Sequence, residues 1–272
     1  MIDYTGPVAV IMSTYAADDP HFLRRSINSL LTQSISSSIK INIYLGVDGP
    51  VSEEIKNVLK SFDSQLFKLV FFENNRGLAY VLNDLIGLLE TEQLVFRMDS
   101  DDVSHPTRLR KQIDFMQQNS SVDILGTAIV EICEDGLSRI VSFPEDHESA
   151  KSSMFWRTPV AHPTVCVRKR VFEKLGGYPT DSLNEDIALW FRAAKAGFRF
   201  SNLSEPLLSF TIGPDFWQRR GLLKAWGEFK CYVKGIYLND GLSWKIAIPL
   251  VRLLFRLGPN SLKKFGYSFR AS

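Results

Sequence analysis

Leu94-Val95-Phe96-Arg97-Met98-Asp99-Ser100-Asp101-Asp102 is an apolar run that breaks into three carboxylates within four residues. A short apolar run bounded by charge reads as a buried strand, and open α/β sheets place their ligands at the carboxyl ends of such strands. Three carboxylates at one strand end repel one another, so the cluster is costly unless a cation sits among them. Hard carboxylate oxygens suit Mg²⁺ or Mn²⁺ rather than zinc. A simpler use of Asp101 or Asp102 is to cap a helix beginning at Pro106. A cap accounts for one aspartate and leaves two.

Three more apolar runs precede this one. Val8 to Thr14 reads as a buried strand, followed by helical spacing from Pro20 to Gln33 with Asp19 as the start signal. Ile39 to Val47 is a second strand, ending at Asp48-Gly49-Pro50, after which Ser52 caps a helix whose first turn holds Glu53 and Glu54. A third strand covers Phe67 to Phe72, Asn74-Asn75-Arg76-Gly77 makes a loop, and Leu78 to Leu89 is helical. Strand alternating with helix in this way predicts a parallel, doubly wound sheet with right-handed crossovers. The acids and polar groups that end strands one, two and four then gather along one edge.

The rhythm changes after the acidic cluster. Pro106 to Asn119 reads as a helix, Ile124 to Ile132 as a strand, and Ile140 to Phe143 as its hairpin partner across Glu134-Asp135-Gly136, so the sheet becomes mixed. Val165 to Arg168 is a short strand and Arg170 to Leu175 a helical turn. Asn184 to Ala196 is a helix with Asn184 as cap candidate, Gly197 at its end and Trp190 at core spacing; residues 199–210 hold a last strand or two.

Composition bounds the partners. Three cysteines in no metal-ligand spacing suit a reducing cytosol. Residues 1–7 hold no basic n-region, so neither a secretory signal nor an anchor is expected there. From Trp217 to Ser272 eleven Lys or Arg stand against Glu228 and Asp240, a charge of +9 that leaves −7 for residues 1–216 of a chain whose total is +2. Trp244 to Leu257 is too short and too often interrupted by arginine to span a bilayer. It suits a helix lying on an anionic inner leaflet, or a pair of helices packed on the domain with a solvated basic face. No nucleic-acid recognition motif accompanies the basic tail, so nucleic acid is not an expected partner.

Five pieces resemble, in order and separation, the inverting glycosyltransferases of family 2. They are Val8-Ala9-Val10-Ile11-Met12-Ser13-Thr14-Tyr15, Val47-Asp48-Gly49, Asn74-Asn75-Arg76-Gly77-Leu78-Ala79, Asp99-Ser100-Asp101-Asp102 and Asn184-Glu185-Asp186-Ile187-Ala188-Leu189-Trp190. The resemblance covers about residues 6–210. It implies the GT-A fold: an α/β, Rossmann-like, doubly wound mixed sheet with, here, a C-terminal helical extension. The expected division is a transferase domain over residues 1–215, with a nucleotide-sugar half of about 1–105 and an acceptor half of about 106–215, then a basic amphipathic tail over 216–272.

The resemblance also implies roles. A UDP-sugar would lie across the carboxyl edge of the sheet, with Ser13 and Tyr15 along the nucleoside, Asp48 accepting the imide hydrogen of uracil, and Arg76 and Gly77 on the donor side. Val47 stands where the family often has a first acid before that aspartate. Mn²⁺ or Mg²⁺ would bridge the diphosphate to Asp101, with Asp99 reaching the ribose or a metal-bound water and Asp102 a second ligand or the helix cap. Such an ion stabilises the charge developing on the leaving diphosphate. Asp186, beside Glu185, matches the family's general base for the attacking acceptor hydroxyl.

The aspartate cluster with Arg168-Lys169-Arg170 downstream resembles bacterial transferases that add the second sugar of a repeat unit to a lipid-linked amino sugar, which implies that the basic run meets the acceptor phosphates. A hexose of glucose or galactose type, moved to a polyprenyl-pyrophosphate-linked saccharide in O-antigen or capsule synthesis at the cytoplasmic membrane face, is the implied reaction. His162 is a candidate to orient the acceptor or ligate metal, and Trp156 to stack on sugar. Two other readings use the same residues: a non-catalytic nucleotide or carbohydrate module, and an aspartate-based phosphohydrolase, which places its acid pair after the first strand.

Overall fold

In a computed structural model of the chain, residues 6–133, 137–182, 184–212 and 222–257 are described. Strand β1 (Val8–Tyr15) runs between β2 (Ile41–Asp48) and β4 (Leu94–Met98), with β3 (Lys68–Phe71) outside β2, all parallel. Side chains alternate across these strands. Val8, Val10 and Met12 face one core with helices α1 (Pro20–Leu31) and α2 (Glu53–Phe62), while Ala9 and Ile11 face the other with α3 (Leu78–Gly87). Burial on both faces is why the runs are continuously apolar. As expected, the Asp19 carboxylate caps α1 by accepting from the N–H groups of His21 and Phe22, and the Ser52 hydroxyl caps α2 at Ile55 N–H.

After β4 come β5 (Val103–Ser104), α4 (Arg108–Gln118), β6 (Ile124–Cys133), β7 (Ser138–Val141) and α5 (His147–Ser153). A 3₁₀ turn (His162–Thr164) leads to β8 (Cys166–Arg168), α6 (Lys169–Leu175), α7 (Glu185–Lys195) and β9 (Phe200–Ile212). The sheet order is β3-β2-β1-β4-β8-β6-β9-β5, with β7 on β6. β8 lies antiparallel between β4 and β6, whereas β9 runs parallel to β6 with an irregularity beside Thr127 and Ala128. The mixed α/β sheet follows the expectation.

Several local expectations need correcting. α4 starts at Arg108 with Thr107 before it and no side-chain cap, so neither Asp101 nor Asp102 caps it. Asn184 precedes α7 but makes no capping bond. Residues 199–210 belong to the one strand β9, which continues to Ile212 and is edged by the two-residue β5. The β6–β7 hairpin forms, and its expected turn at 134–136 lies outside the described residues.

The C-terminal residues form α8 (Leu222–Asp240), a 3₁₀ turn (Trp244–Ile246) and α9 (Ala247–Leu257). Tyr232, Ile236 and Ile248 join the same apolar core as Trp190, which is fully buried. α8 comes so near α7 that a Cβ on Gly235 would run into the Phe191 ring. Among the described residues no helix is long and apolar enough to cross a membrane.

Below the parallel half, fully buried Glu92 accepts from Asn42 Nδ2 at 2.5 Å and Tyr44 Oη at 2.7 Å. Burial opposes its ionisation, but these bonds and those of nearby backbone N–H groups outweigh it and hold the carboxyl below its ordinary value of 4.5. A depressed carboxyl contributes stability that is present above that value and lost as pH falls through the folded pKa. Glu92→Gln should therefore cost about 1–2 kcal/mol at pH 7, with the gap to wild type narrowing below about pH 4.5 in urea unfolding.

Candidate active site

The parallel register sets Tyr15 beside Asp48 and Met12 beside Met98, so the ends of β1, β2 and β4 open together onto one cleft of about 680 Å³. That volume lies within the range of small-molecule sites. Ser13, Tyr15, Asp48 and Gly77 line one side of it. The Asp48 carboxylate accepts from the backbone N–H groups of Arg76 (2.8 Å) and Gly77 (2.9 Å), pinning the loop between β3 and α3 against β2. Gly49, at φ +84°, is required there, since a Cβ would lie 2.6 Å from Asn75 N. The Arg76 guanidinium does not line the cleft. It pairs with Asp84 and lies over the Phe72 ring at 4.5 Å.

Asp99, Asp101 and Asp102 each place a carboxylate oxygen within 4.8 Å of the others. The backbone that carries them is held from two directions. Helix α1 buries Ser26, whose hydroxyl donates to Asp99 O at 2.8 Å, and Ser29, whose hydroxyl accepts from Ser104 N–H at 3.0 Å. From β9, Thr211 N–H donates to Asp102 Oδ1 at 3.2 Å and the Thr211 hydroxyl to Asp101 O at 2.7 Å.

Charge is arranged beneath and beside the cluster. Buried Arg97 donates to Asp99 through both terminal nitrogens, and Arg108, fully buried, donates to Arg97 O at 2.9 Å. Burial lowers Arg108 to about 10, which leaves it charged at neutral pH. Burial, with the charges of Asp99 and Asp101, pushes the Asp102 carboxyl well above its ordinary range. Asp102 Oδ2 is buried without a hydrogen-bond partner. Three converging hard oxygen donors, one of them orphaned, fit a divalent cation such as Mg²⁺ or Mn²⁺.

Asp18, absent from the sequence-based candidates, is a further acid on this wall. It accepts from Ser100 Oγ at 2.6 Å and Tyr15 N–H at 3.3 Å. Burial raises its carboxyl despite those bonds, and the charge of Asp99 adds to the rise. Its position three residues past Tyr15, at the end of β1, was the available signal. Thr211 lies 110 residues from Asp101, and nothing in its sequence surroundings marks it.

The second half of the chain lines the rest of the cleft. Glu185 and Asp186, in the first turn of α7, line it with Asn184, whose buried Nδ2 has no hydrogen-bond partner. His162 also lines the cleft. Its Nε2 lies 2.9 Å from Tyr178 Oη, and burial, reinforced by Arg97, holds the ring well below its usual pKa and so neutral. It is outside the three-aspartate cluster.

Arg139, Arg157 and Arg252 line the same cleft, Arg139 paired there with Glu131 at 2.5 Å. Arg252, from α9, pairs with Glu228 of α8 and donates to Trp156 O at 2.8 Å. The Trp156 ring is exposed and not part of the lining.

Arg168, Lys169 and Arg170 are not brought to the cleft. Antiparallel pairing sets Arg168 opposite Leu94, at the start of β4 and therefore at the far edge of the sheet. There Arg168 donates to the carbonyls of Val122 and Met116, Lys169 to that of Glu90, and Arg170 pairs with Asp123 at 2.7 Å. The run closes helix and strand ends. Removing the buried counter-charge nearer the site should be costly: Arg97→Met leaves Asp99 unpaired, and urea unfolding should show a loss of about 2–3 kcal/mol, moderated because Asp99 is partly exposed.

Residues 9–176 match the family described as Glycosyl transferase family 2. The chain is 33% identical over 263 residues to an "Uncharacterized glycosyltransferase" of Haemophilus influenzae, covering 94% of this chain and 96% of that one. It is 30% identical over 266 residues to the "Amylovoran biosynthesis glycosyltransferase AmsE" of Erwinia amylovora, with 95% and 97% covered. With a "UDP-Gal:alpha-D-GlcNAc-diphosphoundecaprenol beta-1,3-galactosyltransferase" of Escherichia coli it shares 30% identity over 273 residues, with 98% and 97% covered. The fold is similar to that of S. aureus TarS residues 1–349 in complex with UDP-GlcNAc, at a TM-score of 0.66 and 18% identity over 92% of this chain and 72% of that one. The aspartate cluster at the carboxyl edge, the GT-A-like sheet and the length of these matches agree, and the chain belongs to glycosyl transferase family 2.

Proposed function

We propose that this glycosyltransferase is an inverting, divalent-metal-dependent enzyme. It moves a hexose of glucose or galactose type from a UDP-sugar to a hydroxyl of a lipid-diphosphate-linked amino sugar in surface polysaccharide synthesis. The observation that carries the reading is that one cleft is lined both by Asp99 and Asp101 of the three-aspartate cluster that follows β4 and by Asp186 of α7, with Asp102 buried behind them. Donor activation and acceptor activation need opposite faces of the transferred sugar, and two separated carboxylate groups supply them. The E. coli relative is named for this class of donor and acceptor, and TarS has been captured with UDP-GlcNAc.

In this account residues 1–105 form the donor half, with Ser13, Tyr15 and Asp48 along the nucleoside and the Arg76–Gly77 backbone kept in place by Asp48. Asp101 and Asp102 would hold the metal, and Asp99 is paired with Arg97. A bound divalent ion supplies electrostatic stabilisation to the leaving diphosphate. Residues 106–215 form the acceptor half. There Asp186 accepts the proton of the attacking hydroxyl as oxygen bonds to the anomeric carbon and the UDP bond breaks, in one displacement. Glu185 adds a second carboxylate at the same turn, and neutral His162 faces the acceptor. Arg139, Arg157 and Arg252, rather than residues 168–170, are the cations placed to meet an acceptor diphosphate. Glu228, Tyr232 and Arg252 of α8 and α9 complete the acceptor side of the cleft, and the chain works at the cytoplasmic face of the membrane. A phosphohydrolase would place its acid pair after the first strand, whereas here the pair follows β4.

Incubation with UDP-glucose or UDP-galactose and a synthetic lipid-diphosphate N-acetylhexosamine should give acceptor-dependent UDP release and an inverted linkage. Release of free sugar without acceptor would contradict the reading. Asp186→Asn should lower kcat about 10³-fold while UDP affinity changes by less than about twofold.

A further inference from the structure

Helix α9 is apolar on two opposite sides. Its inner side buries Ile248 and Leu253 and sends Arg252 into the cleft. On its outer side Leu250, Val251 and Leu254, spaced as one helical face, are each about half exposed or more, and just before the helix Trp244 is 73% and Leu242 90% exposed. Large apolar surfaces left in water mark interaction sites. Lys230 is exposed on the neighbouring α8, as is Lys234, which pairs with Asp181 at 2.7 Å, and the sequence of residues 217–272 carries +9 against −7 for the rest. Aromatic and aliphatic side chains beside excess positive charge fit an anionic lipid surface better than a protein groove.

We propose that the outer face of α9, with Leu242 and Trp244, docks the chain on an anionic lipid bilayer. The helix lies along the surface: eleven residues span about 16 Å, half of a bilayer core. A helix is about 10 Å across, so docking by the outer face holds the cleft wall formed by Arg252 within about that distance of the lipid headgroups. Arg252 ties this helix to Glu228 of α8 and to the carbonyl of Trp156, making the docking element a structural wall of the cleft. A sugar carried on a lipid diphosphate would thus meet the cleft from the bilayer side. This last consequence rests on the proposed acceptor; the docking itself does not.

The test is flotation of the full chain with phosphatidylcholine vesicles containing about 30 mol% phosphatidylglycerol, alongside the triple variant Leu250→Ser, Val251→Ser, Leu254→Ser and, separately, Trp244→Ser. The mutated side chains face outward, so both variants should keep the wild-type circular dichroism. Wild type should bind the vesicles, and each variant should partition more weakly, the triple variant by about tenfold or more. A wild type that fails to bind overturns the proposal, as does undiminished binding by both folded variants. A concentration-dependent dimer that the triple variant dissolves would assign the face to a second copy instead. UDP titration of the same samples separates the two accounts: vesicle binding without UDP binding would sink the donor assignment and leave the docking face standing.

Discussion

Like-charge repulsion at the end of β4 is the constraint around which the carboxyl edge of this sheet is organised. Asp99, Asp101 and Asp102 converge, Asp18 stands on the same wall, and Asp102 is completely enclosed with one oxygen unpartnered. The fold answers with two buried guanidinium groups, Arg97 against Asp99 and Arg108 one layer below. It also clamps the loop mechanically, through serines on the inner face of α1 and through Thr211 at the end of β9. Those contacts fix the backbone but leave carboxylate oxygens turned toward one another. Such an arrangement is stable when a divalent cation is shared among them.

The clamp explains why distant parts of the chain belong to one unit. β9 reaches the acid loop only because it crosses beside β6 and runs through to Ile212, and β5 zips the loop to its edge. α7 presents Glu185 and Asp186 to the same cleft from its first turn, and one turn further along the same face Leu189 and Trp190 are buried in the core that α3 shares. α8 and α9 extend that core with Tyr232, Ile236 and Ile248, and then wall the cleft with Glu228 and Arg252. The basic C-terminal helices are therefore part of the site's architecture.

The parallel half was legible in the sequence because doubly buried strands are uninterrupted apolar runs and because Asp19 and Ser52 act as local start signals. The acid cluster was legible as the break in an apolar run, whereas Glu185-Asp186 stood out only through the family resemblance, its local cap candidate Asn184 making no side-chain capping bond. Long-range placement was not. Arg168-Lys169-Arg170 is a charge run whose use depends on which end of an antiparallel strand it occupies, and β8 carries it to the far edge. Thr211 acts across 110 residues, and β5, of two residues, has no periodicity to read. Asp101 and Asp102 read as candidate caps because Thr107, the residue before α4, makes no side-chain capping bond that would mark the helix start.

The central claim is that the aspartate cluster and a divalent ion together bind the donor's diphosphate. Calorimetric titration of UDP into wild type and Asp101→Ala, each with Mn²⁺ and with a chelator, tests it directly. The account predicts binding in wild type with Mn²⁺ and a loss of about tenfold or more in affinity when either the ion or Asp101 is removed. Equal UDP affinity in all four titrations, or none in wild type with Mn²⁺, would contradict it.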